Sequence, residues 1–140
     1  MFQFLHQLGM PKSWALTDVY GLDDELLCML PQPVVAIMLL FPITDKYEDH
    51  VKSIDFAGQS IADSVYYCKQ TISNACGTVA MIHSVANNLD SIALEDGILK
   101  DFLEATKASS PEERAKQLED NNKVSAVHDD VAREGQTAVR

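Results

Sequence analysis

The longest apolar run in the chain is "VVAIMLLF" at 34–41. It is β-branched at its start and bounded by Pro31, Pro33 and Pro42, which predicts a strand buried on both faces. "ALTDVY" at 15–20 is compatible with a second strand. Elsewhere the apolar spacing is helical. Phe4, Leu5 and Leu8 share one face of a short opening helix. Gly9 is its expected stop, because glycine tolerates the left-handed conformation. "DDELLCML" at 23–30 reads as one or two helical turns with its acids at the positive end. In the polar stretch that runs to about Ser60, Tyr47, Val51 and Ile54 keep a sparse helical spacing.

The second half is mostly helical. "ACGTVAMIHSVA", from about Ala75 to Ala86, is nearly all small or apolar, and a helix apolar all round belongs at the centre of a protein. Residues 98–106 are amphipathic, with Ile98, Leu99, Phe102 and Leu103 on one side. "SPEE" at 110–113 is a helix start: Ser110 caps, Pro111 suits the first position and Glu113 completes a capping box. Val124, Val127 and Val131 mark a last helix that ends before Gly135, and "EGQTAVR" reads as loop. The pattern is helix-rich α/β or α+β, yet two strands do not make a stable sheet. Either further strands escape the pattern or the sheet is finished elsewhere.

With 140 residues the chain suits one domain. Its formal charge is −10, from 21 acidic and 11 basic residues. That excludes the usual nucleic-acid binder, which needs Lys and Arg on phosphates, and argues against docking on an anionic membrane. It permits a basic partner drawn in by the acidic surface. No run is long enough to span a bilayer as a helix. "MFQFLHQLGM" lacks the basic region and apolar stretch of a signal peptide. The three cysteines, Cys28, Cys68 and Cys76, form no CxxC pair. No zinc site, other metal or cofactor is therefore expected, and a reducing, cytoplasmic setting fits.

The stretch that carries chemistry is "QTISNACGT" at 70–78. A helix beginning near Ser73 or Asn74, both good N-cap residues, puts Cys76 in the first turn. There, backbone N–H groups lack intrahelical partners, and the positive end of the helix favours a thiolate. Gly77 leaves room for another chain to approach the sulfur. Thiolate attack on a carbonyl creates an oxyanion, for which the Cys76 N–H and the Gln70 amide are candidate donors. On these residues alone, a nucleophile and a buried structural thiol both remain open for Cys76, because buried free cysteines are common. Cys28 and Cys68 lack such neighbours and read as structural.

A thiol nucleophile usually needs a histidine base held by Asp or Asn. His83 follows Cys76 by seven residues, so on one helix the rise alone separates them by about 10.5 Å. It reads instead as a satisfied helix histidine. His6 falls in the opening helix and His50 in the charged stretch. His128 precedes Asp129 and Asp130, but neighbours on a helix point in different directions. None of the four is a base for Cys76.

Through "FLHQLG", "DVYG", "LLFPITDKYE", "KQTISNACGT", "IHSVANN", "SPEERAKQLE" and "EGQT", the chain resembles the ubiquitin carboxyl-terminal hydrolases, papain-like cysteine peptidases, in their small single-domain form. The resemblance implies an α+β fold in three α-β-α layers around a mostly antiparallel central sheet, of which this chain holds the helix-rich half. It implies that Cys76 is the nucleophile and Gln70 the oxyanion-hole side chain. The partner would be ubiquitin, cleaved from esters, amides or peptides at its C-terminal glycine. Residues 1–140 would form a partial peptidase domain, and 134–140 the start of the crossover-loop region. The family's opening segment, with its Trp, Pro and acidic residues, has no match before Phe4.

The family's catalytic His and orienting Asp have no counterpart in the sequence, which accounts for both the missing base and the missing strands. The expectation is then a chain inactive or unstable alone, with apolar surface open on the 75–86 helix and a raw sheet edge. A second chain, a swapped copy or further sequence would complete it. The alternative is a non-catalytic module that binds ubiquitin or another partner.

Overall fold

The computed structural model describes residues 2–58, 60, 62–73, 75–122 and 124. Its first helix, α1 (Phe2–Gln7), ends as the sequence predicts. Gly9 has φ 107°, its N–H donates to His6 O at 3.2 Å, and the Met10 N–H donates to Leu5 O at 2.9 Å. This is the Schellman closure, and its usual apolar contact is present, since Leu5 and Met10 are buried in the same cluster. Two further bonds seat this turn on the start of a later helix: Glu95 N–H to Gly9 O and Leu99 N–H to Leu8 O, both 3.0 Å. A Cβ on Gly9 would lie 3.1 Å from Glu95 O, so the approach as well as the positive φ requires glycine.

Two short helices follow. The single turn α2 (Asp24–Leu27) carries Asp24 and Glu25 at its start. Helix α3 (Asp45–Ser53) is better formed than its sparse spacing suggests. The reason is local, because Thr44 caps it by accepting from the Tyr47 N–H at 3.3 Å. No α3 residue is buried.

The core is built by the second half. Helix α4 (Cys76–Ala86) buries Thr78, Val79, Met81, Ile82 and Val85. Helix α5 (Ile98–Thr106) buries Leu99, Phe102, Leu103 and Thr106. Helix α6 (Pro111–Glu119) adds Ala115 and Leu118. Its capping box is complete: Ser110 N–H donates to Glu113 Oε2 at 2.8 Å, and Glu113 N–H to Ser110 Oγ at 3.2 Å. Val124 is buried in the same cluster. The remainder of the helix expected over 124–131, with Gly135, His128 and the 134–140 loop, lies outside the described residues.

Two expectations are corrected. Among the described residues no strand forms, so neither 15–20 nor 34–41 pairs. The 34–41 run is not buried on both faces: Ile37, Leu39 and Leu40 are 82, 81 and 90% exposed. Only Val35 packs against the core. The sequence records a capacity to pair, while a strand also requires a partner, and none of the described segments supplies one. The second correction concerns where apolar surface stays open. It was expected on the 75–86 helix, but the apolar side chains of α4 are buried or half-buried in the shared core, and the open apolar surface falls on the first half of the chain, most of 34–43 included.

This division has a measurable consequence. Leu99→Ala should cost about 2–5 kcal/mol in urea unfolding, as a fully buried leucine does. Leu40→Ala should change stability by less than about 0.5 kcal/mol. Comparable losses for both would contradict an exposed 34–41 run.

Candidate active site

The approach to α4 is an extended segment, residues 66–69, and its backbone is bonded on both sides by helix-borne groups. On one side is α4. The Asn87 side chain accepts from the Tyr66 N–H through Oδ1 at 2.8 Å and donates to Tyr66 O through Nδ2 at 2.9 Å. One turn back, His83 Nε2 accepts from the Cys68 N–H at 2.9 Å and lies 3.1 Å from Cys68 O. On the other side is α6, where Arg114 donates through Nη1 to Tyr67 O at 3.0 Å and the Lys69 N–H donates to Pro111 O at 3.2 Å. Even-numbered residues thus bond towards α4 and odd-numbered ones towards α6, the alternation of a strand between two neighbours.

Arg114 holds three carbonyls in all, reaching Thr106 O and Lys107 O as well, and its guanidinium lies 4.2 Å over the Tyr66 ring. The Tyr66 hydroxyl bonds Thr106 Oγ1 at 2.8 Å, and Thr106 Oγ1 in turn donates to Phe102 O. Burial pushes the Tyr66 phenol up, with the Thr106 hydrogen bond opposing. These contacts tie the 66–69 segment to the core. They were not foreseen, because residue pairs 15, 21 and 47 apart leave no periodic signal. The one trace is the His-x-x-x-Asn spacing of "HSVAN", two polar side chains one turn apart at the end of a mostly small and apolar helix.

Beyond Lys69 the chain reaches the predicted site residues. Gln70 is exposed, and its amide donates to Ile72 O at 3.5 Å, a long bond that leaves the group free to turn. Cys76 is the first residue of α4 and is exposed. The cap differs from expectation. Ala75 holds the N-cap position with no side-chain bond, Ser73 does not cap, and Asn74 lies outside the described residues. The first-turn N–H groups of Cys76 and Gly77 therefore have neither an intrahelical acceptor nor a capping oxygen from Ala75.

The other cysteines differ in setting. Cys28 is exposed on the loop after α2, and Cys68 is fully buried. Burial pushes the Cys68 thiol up, with Arg114 partly opposing. Among the described histidines none bonds Cys76. His6 Nε2 contacts Trp14 O at 3.1 Å, and His50 lies on α3. His83 is the satisfied helix histidine that its spacing predicts. Burial holds its pKa below the usual 6.5, opposed by the Cys68 carbonyl, to which the protonated ring would donate. A backbone N–H only donates, so the neutral ring accepts at Nε2, and Tyr67 stacks on it with centroids 5.1 Å apart. A cavity of about 510 Å³ lined by Val65, Tyr66, Leu103 and Arg114 lies beside the segment, but neither Gln70 nor Cys76 lines it. No described group of three His, Cys, Asp or Glu is placed to hold a metal, and no described helix is long and apolar enough to cross a membrane.

An accessible cysteine stands at the head of a core helix, six residues after a glutamine. The chain belongs to the ubiquitin carboxyl-terminal hydrolase family 1, whose profile matches residues 1–140. It is 46% identical over 138 residues to ubiquitin carboxyl-terminal hydrolase isozyme L1 of Rattus norvegicus and of Homo sapiens. Each alignment covers 96% of this chain and 62% of the relative. A ubiquitin carboxyl-terminal hydrolase of Drosophila melanogaster is 44% identical over 142 residues, covering 96% of this chain and 61% of that protein. The chain thus spans somewhat over three fifths of the length of the curated relatives it matches.

His83 gives the site a pH dependence of defined sign. Its folded pKa is depressed, so the unfolded chain takes up the proton first as pH falls. The stability from neutral His83 is complete above 6.5 and is lost as pH drops through 6.5 towards the folded value. Urea midpoints between about pH 7 and pH 5 should fall for the native chain and fall less for His83→Gln. Equal slopes would show that His83 does not govern this window.

Proposed function

We propose that the chain carries the nucleophilic half of a thiol-dependent hydrolase acting on esters, amides or peptide bonds at the C-terminal glycine of ubiquitin. The observation that carries the proposal is Cys76, exposed at the first position of α4 and six residues after Gln70, in a chain of this family. The Cys76 thiolate adds to the carbonyl carbon of the glycine, and the carbonyl π pair moves to oxygen. The Cys76 N–H and the Gln70 amide donate to that oxyanion. Collapse breaks the bond to the leaving group, which takes a proton from a general acid, and water then hydrolyses the thioester.

In this reading the histidine that gives and takes that proton, and the aspartate that orients it, come from polypeptide outside the described residues. The same polypeptide, continuous or supplied by a second chain or an exchanged copy, covers the open 34–41 run. A reducing, cytoplasmic setting accords with three cysteines that are all free. The acidic balance accords with a basic partner face, which ubiquitin presents in the family resemblance. One observation favours a second reading: no described histidine bonds Cys76. A chain that only binds ubiquitin or another partner would show that feature too.

A ubiquitin derivative with a thiol-reactive C-terminus separates the two. Under the proposal it labels the native chain and the Cys28→Ala variant but not Cys76→Ala. Gln70→Ala should slow labelling through a carbonyl-addition step by about 100-fold or more. Ubiquitin binding without labelling would establish the binding module, and labelling that persists in Cys76→Ala would remove Cys76 as the nucleophile.

A further inference from the structure

Four residues of helix rise about 6.0 Å and two residues of extended chain about 6.6 Å, so the two repeats nearly match. The bonds of α4 to the 66–69 segment use that match. Asn87 holds the backbone of Tyr66, and His83, four residues back, holds the backbone of Cys68, two residues on. The pairing is antiparallel, so each further step of two along the segment moves one turn towards the start of α4. The next step along the segment is Gln70, two residues past the Cys68 backbone that His83 holds. Beyond it the chain turns into the helix, the Ala75 N–H donating to Ile72 O, three residues back, at 3.4 Å. The clamp made by Asn87 and His83 therefore ends two residues before Gln70 and is carried by the same helix whose first residue is Cys76. We infer that Asn87 and His83 are positioning residues for the oxyanion hole, holding the backbone of residues 66–68 so that the Gln70 amide is delivered to the first turn of α4.

This inference rests on the roles proposed above for Cys76 and Gln70 and adds what keeps them in register. Asn87 is the cleaner probe, since its Nδ2 also donates to His83 O at 2.8 Å and so braces its own helix against the segment. Asn88 provides the control. It makes the equivalent bond to Ser84 O at 2.8 Å, and no bond of its side chain reaches the segment.

The test compares two reagents on the full chain. A ubiquitin C-terminal aldehyde adds Cys76 to a carbonyl and creates an oxyanion, whereas iodoacetamide alkylates the sulfur by displacement and creates none. Asn87→Ala should weaken aldehyde binding about 10-fold against about 100-fold for Gln70→Ala, and by less than about 2-fold in the Gln70→Ala background. Alkylation of Cys76 should be unchanged in each, and Asn88→Ala should change neither reaction. Should Asn87→Ala fail to fold, Asn87→Asp keeps the acceptor for the Tyr66 N–H, loses the donor, and should show the same non-additivity. Additive losses for Asn87 and Gln70, or equal losses for aldehyde and iodoacetamide, would overturn the positioning role while leaving the nucleophile in place. An aldehyde that binds Cys76→Ala as well as the native chain would overturn the underlying assignment, and the positioning role with it.

Discussion

The pairing of helix side chains with the backbone of residues 66–69 is the constraint on which the rest of the site depends. An extended segment that passes a core has peptide groups facing both ways, and each unpaired one shielded from water costs about as much as a lost hydrogen bond. In most proteins neighbouring strands supply the partners. Here α4 supplies His83 and Asn87 on one side, and the α6 region supplies Arg114 and Pro111 on the other. The segment thereby acquires the register of a strand without a sheet. It leaves the core at Lys69 in a fixed direction, and the chain turns back into α4 within six residues. The exposed sulfur of Cys76 belongs to the same helix that carries the clamp, so one rigid element fixes both.

How much of this the sequence disclosed follows from how local each signal is. The capping box at Ser110–Glu113 and the face of Ile98, Leu99, Phe102 and Leu103 use residues within one or two turns, and both read directly. The Gly9 stop is local too, although its close approach to Glu95 is not. In α3 the sparse helical spacing of Tyr47, Val51 and Ile54 did mark a helix, and the Thr44 cap is the local signal that strengthens it. The cap of α4 was placed one or two residues early because Ser73 and Asn74 have the better side chains. The chain instead enters the helix through buried Ala75, where packing decides. The 66–69 clamp was illegible because its partners are remote in sequence and its donors are side chains.

The candidate site divides along the same line. Gln70, Cys76 and Gly77 lie within eight positions, and family resemblance and spacing both pick them out. The environment then separates three chemically identical cysteines. Cys68 is sealed in the core with its thiol pushed up, Cys28 lies open on a loop with no helix start behind it, and Cys76 alone combines exposure with a helix N-terminus. His83 is spent on structure. Its ring nitrogen is held by the Cys68 N–H, and drawing it away to serve as a base would leave that N–H without its partner.

The open 34–41 run has an energetic meaning. Burying a large aliphatic side chain is worth about 1.5–3 kcal/mol, so covering Ile37, Leu39 and Leu40 would contribute roughly 5–9 kcal/mol. That is on the scale of the whole stability of an ordinary domain. The helical core closes with only Val35 of this run packed against it, because α1, α4, α5 and α6 bury their own apolar faces against one another. The two functions of apolar surface are thus separated in this chain. One set of residues orders the helix that presents Cys76, and a second, bounded by prolines and extended, remains open to pairing. A polypeptide that added a strand along 34–41 would bury this second set without first having to build the helix that presents Cys76.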